Sequence, residues 1–110
     1  MELKVENRDN FHILLIKGDV DLYSSPDVRN QILPIVKKKS AILLVDFAEV
    51  PYMDSSGVAT LVEALQIANK NSGKLRLFNL GQPIRDVFEL SRLDKVFEIY
   101  ESEQAALEGI

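Results

Sequence analysis

Two short segments concentrate the hydroxyls and carboxylates of this 110-residue chain: Asp19 to Ser25, and Asp54-Ser55-Ser56 followed by Gly57. A serine set between an aspartate and a glycine raises first the chemistry of a hydrolase nucleophile. That chemistry needs a base beside the serine and a strained turn flanked by glycines. The first of those glycines is missing. The single histidine, His12, sits in an apolar run, where a structural or solvent-facing role fits better. No Gly-x-x-x-x-Gly-Lys-Ser/Thr string occurs, so a P-loop is excluded. Asp19, Asp21 and Asp54 could converge on a metal ion, but acids at strand ends more often cap helices and turns. Cysteine is absent, which removes thiolate metal sites, disulfides and thiol nucleophiles.

The serines then remain as acceptors rather than catalysts. Either Ser55 or Ser56 can cap the helix that begins there, and one of them is expected to do so. A hydroxyl at an exposed helix start is also open to a protein kinase. A phosphate there faces free backbone N–H groups and the positive end of the helix dipole. It adds roughly −1.5 to −2 charge next to Asp54. This is a switch without catalytic equipment, and no enzymatic activity and no cofactor are expected of the chain.

The elements that must position these segments follow from hydrophobic period. Leu3, Val5 and Asn7 alternate with charged residues, which predicts a half-exposed strand near a sheet edge. Arg8-Asp9-Asn10 is a turn, and Phe11 to Ile16 is a strand covered on both faces, so the two form a hairpin. Ser24-Ser25-Pro26 starts a helix with a serine cap, and Val28, Ile32, Ile35 and Val36 carry its stripe to about Lys38. Ala41 to Phe47 is a central strand. The second helix starts at Asp54-Ser55-Ser56-Gly57 and ends at Asn71-Ser72-Gly73 on a glycine C-cap. Leu75 to Phe78 is a strand, Gly81-Gln82-Pro83 opens a third helix, Val96 to Tyr100 is the last strand, and Ser102 caps a short terminal helix. The order β-β-α-β-α-β-α-β-α predicts one α/β sandwich over residues 1–110, with a mostly parallel sheet and an N-terminal hairpin.

A net charge of −4 argues against a nucleic-acid binder. Lys37-Lys38-Lys39 falls where the first helix ends and suits the negative end of its dipole. No apolar run approaches a membrane span, and Met1-Glu2-Leu3-Lys4 does not resemble a signal peptide, so a cytoplasmic protein without membrane insertion is expected.

A receiver domain shares this size and a central-strand aspartate, here Asp46. It also needs an acidic pair ending its first strand and a lysine ending its last, where this chain has Glu98-Ile99-Tyr100. A closer likeness spans the chain. Tyr52-Met53-Asp54-Ser55-Ser56-Gly57 resembles the phosphorylation-site signature of the STAS domain, specifically of stand-alone anti-sigma factor antagonists. Gly18 to Pro26 is similar to that family's glycine-acid-hydrophobe-aspartate hallmark before helix one, and Val87 to Leu93 to its third helix and following turn. The resemblance implies an unphosphorylated form that binds an anti-sigma factor and releases a sigma factor. It implies Ser55 as the phosphate acceptor, with Asp21, Asp54, Ser56 and Gly57 lining the docking surface. The anti-sigma factor would be an ATP- and magnesium-dependent serine kinase, and a PP2C-type phosphatase would reverse the modification. Val58-Ala59 stands where the family often has leucine-glycine, and Arg92 where glycine is common. A stressosome or lipid-transport role on the same fold is the alternative.

Overall fold

The computed structural model describes residues 1–110. Strands β1 (Glu2–Asn7) and β2 (His12–Lys17) pair antiparallel, Glu2 opposite Lys17 through Asn7 opposite His12. The chain continues through α1 (Ser25–Val36), β3 (Ile42–Glu49), α2 (Ser55–Lys70), β4 (Lys74–Phe78), α3 (Gln82–Leu90), β5 (Glu98–Tyr100) and α4 (Glu103–Ala106). The sheet order is β1-β2-β3-β4-β5, and every pairing after the hairpin is parallel. Each crossover therefore steps in the same direction. Right-handed connections must then place α1, α2 and α3 on one face.

The core confirms that layering. Leu14, Ile16, Leu43, Val45, Phe47, Leu75 and Leu77 point from the strands into one cluster with Val28, Ile32, Leu61, Ala64, Ile84 and Phe88 from the helices. The intervening strand residues Ile13, Leu44 and Phe78 face the other way, where Ala106 of α4 covers them. One buried cation holds that second layer. Arg76 Nη1 donates to the carbonyls of Ala106 at 2.8 Å and Glu108 at 2.7 Å, satisfying acceptors at the end of α4. Its guanidinium also lies 5.2 Å from the Tyr100 ring centroid.

Four local expectations need correction. Helix α1 stops at Val36, not Lys38, so the lysine run follows the helix instead of forming its last turn. Ser24 occupies the N-cap position of α1, but its hydroxyl is not used in the cap. The left-handed residue after α2 is Ser72, at φ +61°, not Gly73. Gly73 is needed for space: a Cβ there would run into the carbonyl oxygen of Ala41, where β4 enters the sheet. The last strand begins at Glu98, because Leu93–Lys95 forms a 3₁₀ turn that leaves Val96 exposed. Arg92 enters this turn at φ +61°. That is a left-handed position favouring glycine, which explains why glycine suits this site.

Candidate functional site

The two hydroxyl-rich segments meet at the carboxyl ends of β2 and β3, where open parallel sheets place their functional loops. An isolated parallel bridge between Val20 and Met53 joins them. Val20 N–H donates to the Tyr52 carbonyl at 2.9 Å, and Asp54 N–H donates to the Val20 carbonyl at 3.0 Å. Both apolar side chains of the bridge are buried, so the polar residues on either side are turned outward as one surface.

On the first loop, Asp21 organises a tight turn. Its Oδ1 accepts from Tyr23 N–H at 2.9 Å and Ser24 N–H at 3.0 Å. The Ser24 hydroxyl accepts from Asp21 N–H at 2.9 Å and donates to the Asp19 carbonyl at 2.7 Å. The Ser24 amide, more than the other donors around it, holds the Asp21 carboxyl below the usual carboxylate range. Asp21 is thereby a shaping residue of the surface. The turn lifts Leu22 and Tyr23 outward, 65% and 87% exposed, and Tyr52 on the neighbouring segment is 52% exposed. These three were not singled out from sequence. The available signal was a leucine-tyrosine pair inside a polar loop, outside any helical or strand period.

On the second loop, Asp54 is the N-cap of α2, and neither serine is. Its backbone is extended at φ −101°, ψ −173°, and Oδ1 accepts from Ser56 N–H at 2.9 Å and Gly57 N–H at 3.4 Å. A carboxylate satisfies these orphan donors more strongly than a hydroxyl does, and it also complements the helix dipole. Ser55 follows as the first helical residue, exposed and outside the cap. Ser56 is half-buried, and its carbonyl accepts from the Thr60 hydroxyl at 3.1 Å. Replacing Asp54 with alanine is expected to cost about 0.5–2 kcal/mol of stability. The check is a lower urea midpoint at unchanged m value.

Gly57 lies beneath this surface. It is buried in this chain, and a Cβ would lie 2.6 Å from Met53 Cγ and 2.7 Å from Val20 Cγ1. Its contribution is to let the first turn of α2 sit directly on the Val20–Met53 bridge. Asp21, Asp54 and Ser56 are half-buried, and Ser55 is exposed.

The carboxylates do not form a metal centre: no three His, Asp or Glu side chains cluster in a way that could hold an ion. Asp46 shapes a turn, accepting from Ala48 N–H at 2.9 Å and from the Asn79 amide at 3.2 Å. His12 lies at the amino end of β2, the opposite end of the sheet from Ser55, with Nδ1 2.7 Å from Asn7 Oδ1. Burial, helped by the charge of Lys38, pushes its pKa down. It cannot serve Ser55 as a base. No helix is long and apolar enough to cross a membrane.

Comparison with known proteins agrees with this geometry. The STAS domain family model matches residues 2–106. The anti-sigma-B factor antagonist of Listeria monocytogenes is 30% identical over 100 residues, covering 90% of this chain and 88% of that protein. Among solved structures, an anti-sigma factor antagonist from Mycobacterium paratuberculosis superposes with a TM-score of 0.86 at 24% identity, covering 96% of this chain and 90% of that one. The Bacillus cell fate determinant SpoIIAA, solved in its phosphorylated form, gives a TM-score of 0.72 at 20% identity over 96% of each chain.

Proposed function

This chain belongs to the STAS domain family, and from that premise we propose that it is an anti-sigma factor antagonist switched off by phosphorylation at Ser55. In the unphosphorylated state the surface around Ser55 docks on an anti-sigma factor, which then releases its sigma factor. The anti-sigma factor is also the serine kinase. It transfers the γ-phosphoryl group of its own ATP to Ser55 Oγ, with ADP leaving and the hydroxyl proton passing to the kinase. A PP2C-type phosphatase hydrolyses the ester and restores the binding form.

The observation that carries this reading is the environment of Ser55. It is an exposed hydroxyl at the first position of a helix already capped by Asp54, on a segment that carries exposed Tyr52 and that the Val20–Met53 bridge ties to the loop exposing Leu22 and Tyr23. Exposed apolar and aromatic groups beside a modifiable hydroxyl suit a protein partner better than a small substrate. Asp21 and Asp54 hold the two loops in shape, Ser56 flanks the acceptor, and Gly57 acts from beneath by seating the helix. His12 lies at the other end of the sheet and the Asp54 carboxylate is engaged in the helix cap, so the base that activates the Ser55 hydroxyl comes from the kinase.

The test is capture of partners from the native cell with the wild-type chain and with Leu22→Ala/Tyr23→Ala. The wild type should retain an anti-sigma factor. The double variant should fold normally and bind that factor about tenfold or more weakly, because central aromatic and aliphatic anchors dominate interface energies. Equal retention by both proteins would remove the apolar rim from the account. Retention of stressosome or lipid-transport components instead would favour the alternative binding role.

A further inference from the structure

We propose that the open edge of β1 is a self-pairing surface, on which two copies of this chain join antiparallel with Val5 facing Val5 across a twofold axis. Strand β1 hydrogen-bonds only to β2, so one row of its N–H and C=O groups is turned to solvent. The opposite edge, β5, is three residues long, whereas β1 has six. Leu3 and Val5 are half-buried on the helix side, packed against the main core. Glu2, Lys4 and Glu6 point to the other side, and Arg8 continues the alternation of charge just past the strand.

That alternation favours the register with the most attractive pairs: an axis at Leu3 gains only Glu2 against Lys4, and one at Asn7 only Glu6 against Arg8. Alternate residues of an edge strand turn their hydrogen-bonding groups outward, so an antiparallel ladder between two copies must pair positions of equal parity. With Val5 on the axis, Lys4 stands opposite Glu6 of the second copy, and Glu2 opposite its Arg8, each pairing occurring twice. Moving the axis to Lys4 sets Lys4 against Lys4 and Glu2 against Glu6. Moving it to Glu6 sets Glu6 against Glu6 and Lys4 against Arg8. In-register parallel pairing places every charge beside its own kind. Like charges directly opposite one another destabilise a ladder, and opposite charges support it. Lys4 has no ion-pair partner within its own chain, while Arg8 already meets Glu6 at 2.9 Å. Lys4 is thus the unpaired cation of the strand, and across the axis it meets a Glu6 carboxylate that Arg8 of the same chain also contacts, so the Lys4–Glu6 pairs set the register by adding a second cation to that carboxylate.

The occupant is a second copy because β1 complements itself. A single added strand buries little area, so the dimer is weak and reversible. It leaves the Ser55 surface open, since the twofold axis turns the carboxyl ends of the two sheets in opposite directions. The surface is separate from that site and does not depend on the functional reading above.

Sedimentation equilibrium from micromolar to low-millimolar chain tests the proposal. Wild type should dimerise reversibly. Lys4→Glu and Glu6→Lys should each weaken the dimer by about tenfold or more, because two attractive cross-strand pairs become repulsive. The charge-swapped double variant Lys4→Glu/Glu6→Lys should recover wild-type dimerisation to within about threefold. Circular dichroism should show all four proteins folded. In a chain without native cysteine, Val5→Cys should oxidise to a linked dimer and Asn7→Cys should not. A monomer throughout the concentration range, single variants that dimerise like wild type, or a double variant that stays monomeric would each overturn the proposal.

Discussion

A phosphate on Ser55 is expected to weaken binding to the anti-sigma factor by about a hundredfold or more while shifting the melting temperature by only a few degrees. Ser55 is exposed, so in the free protein the added charge remains hydrated. The structure changes what that charge can gain locally. Asp54 already holds the N–H groups of Ser56 and Gly57, so the phosphate cannot take those donors without displacing the cap. It keeps the favourable end of the helix dipole, about 0.3–1 kcal/mol at an exposed site, and meets repulsion from the Asp54 carboxylate. These two effects oppose each other and leave stability nearly unchanged.

In the complex the balance differs. The phosphate must shed water against a partner surface shaped for a neutral hydroxyl, and an uncompensated buried charge costs several kcal/mol. A loss of about 2.7 kcal/mol is a hundredfold in affinity. Calorimetric titration of the two forms, with thermal melts of each alone, checks both halves of the expectation. Hydrogen exchange adds the mechanism: α2 should keep its protection after phosphorylation. Loss of protection over Val58–Ala68 would mean that the switch works by local unfolding.

Gly57→Ala should damage both stability and docking, because Gly57 is buried beneath the surface it supports. The added methyl would overlap Val20 Cγ1 and Met53 Cγ. Met53 is flexible and can yield, but Val20 is β-branched and sits in the bridge itself. Overpacking of this kind costs about 1–3 kcal/mol. Part of the relief must come from separating the two loops, which moves Leu22 and Tyr23 relative to Ser55. A loss of affinity of about tenfold should therefore accompany the fall in stability. Val20→Ala/Gly57→Ala should recover much of the binding by making room for the methyl. Binding that stays at the wild-type level in Gly57→Ala would show that the bridge does not position the surface.

The order of elements was legible in the sequence because each one carries its own period. Strand β3 is continuously apolar, and α2 repeats Val58, Leu61, Val62, Leu65 and Ala68 at helical spacing. The polar start of α2 was also legible, as Asp54-Ser55-Ser56-Gly57 ahead of an apolar stripe. Its internal division of labour was not. Aspartate and serine both cap helices, and the choice depends on which residue leaves the helical backbone, here Asp54. The buried role of Gly57 was hidden because it arises from the Val20–Met53 bridge between segments far apart in the chain. Val96 reads as strand by residue type, yet the left-handed Arg92 and the following 3₁₀ turn delay pairing until Glu98. Leu22 and Tyr23 escaped notice for a related reason. An apolar pair reads as core unless the turn that exposes it is known, and that turn is made by the Asp21 carboxylate.

Phosphosite mapping by mass spectrometry tests the central claim most directly, applied separately to the partner-bound and free pools of this chain from the native cell. The account predicts an unmodified bound pool and a free pool carrying a single phosphate on Ser55. A phosphate on Ser56, or a bound pool phosphorylated on Ser55, would contradict it.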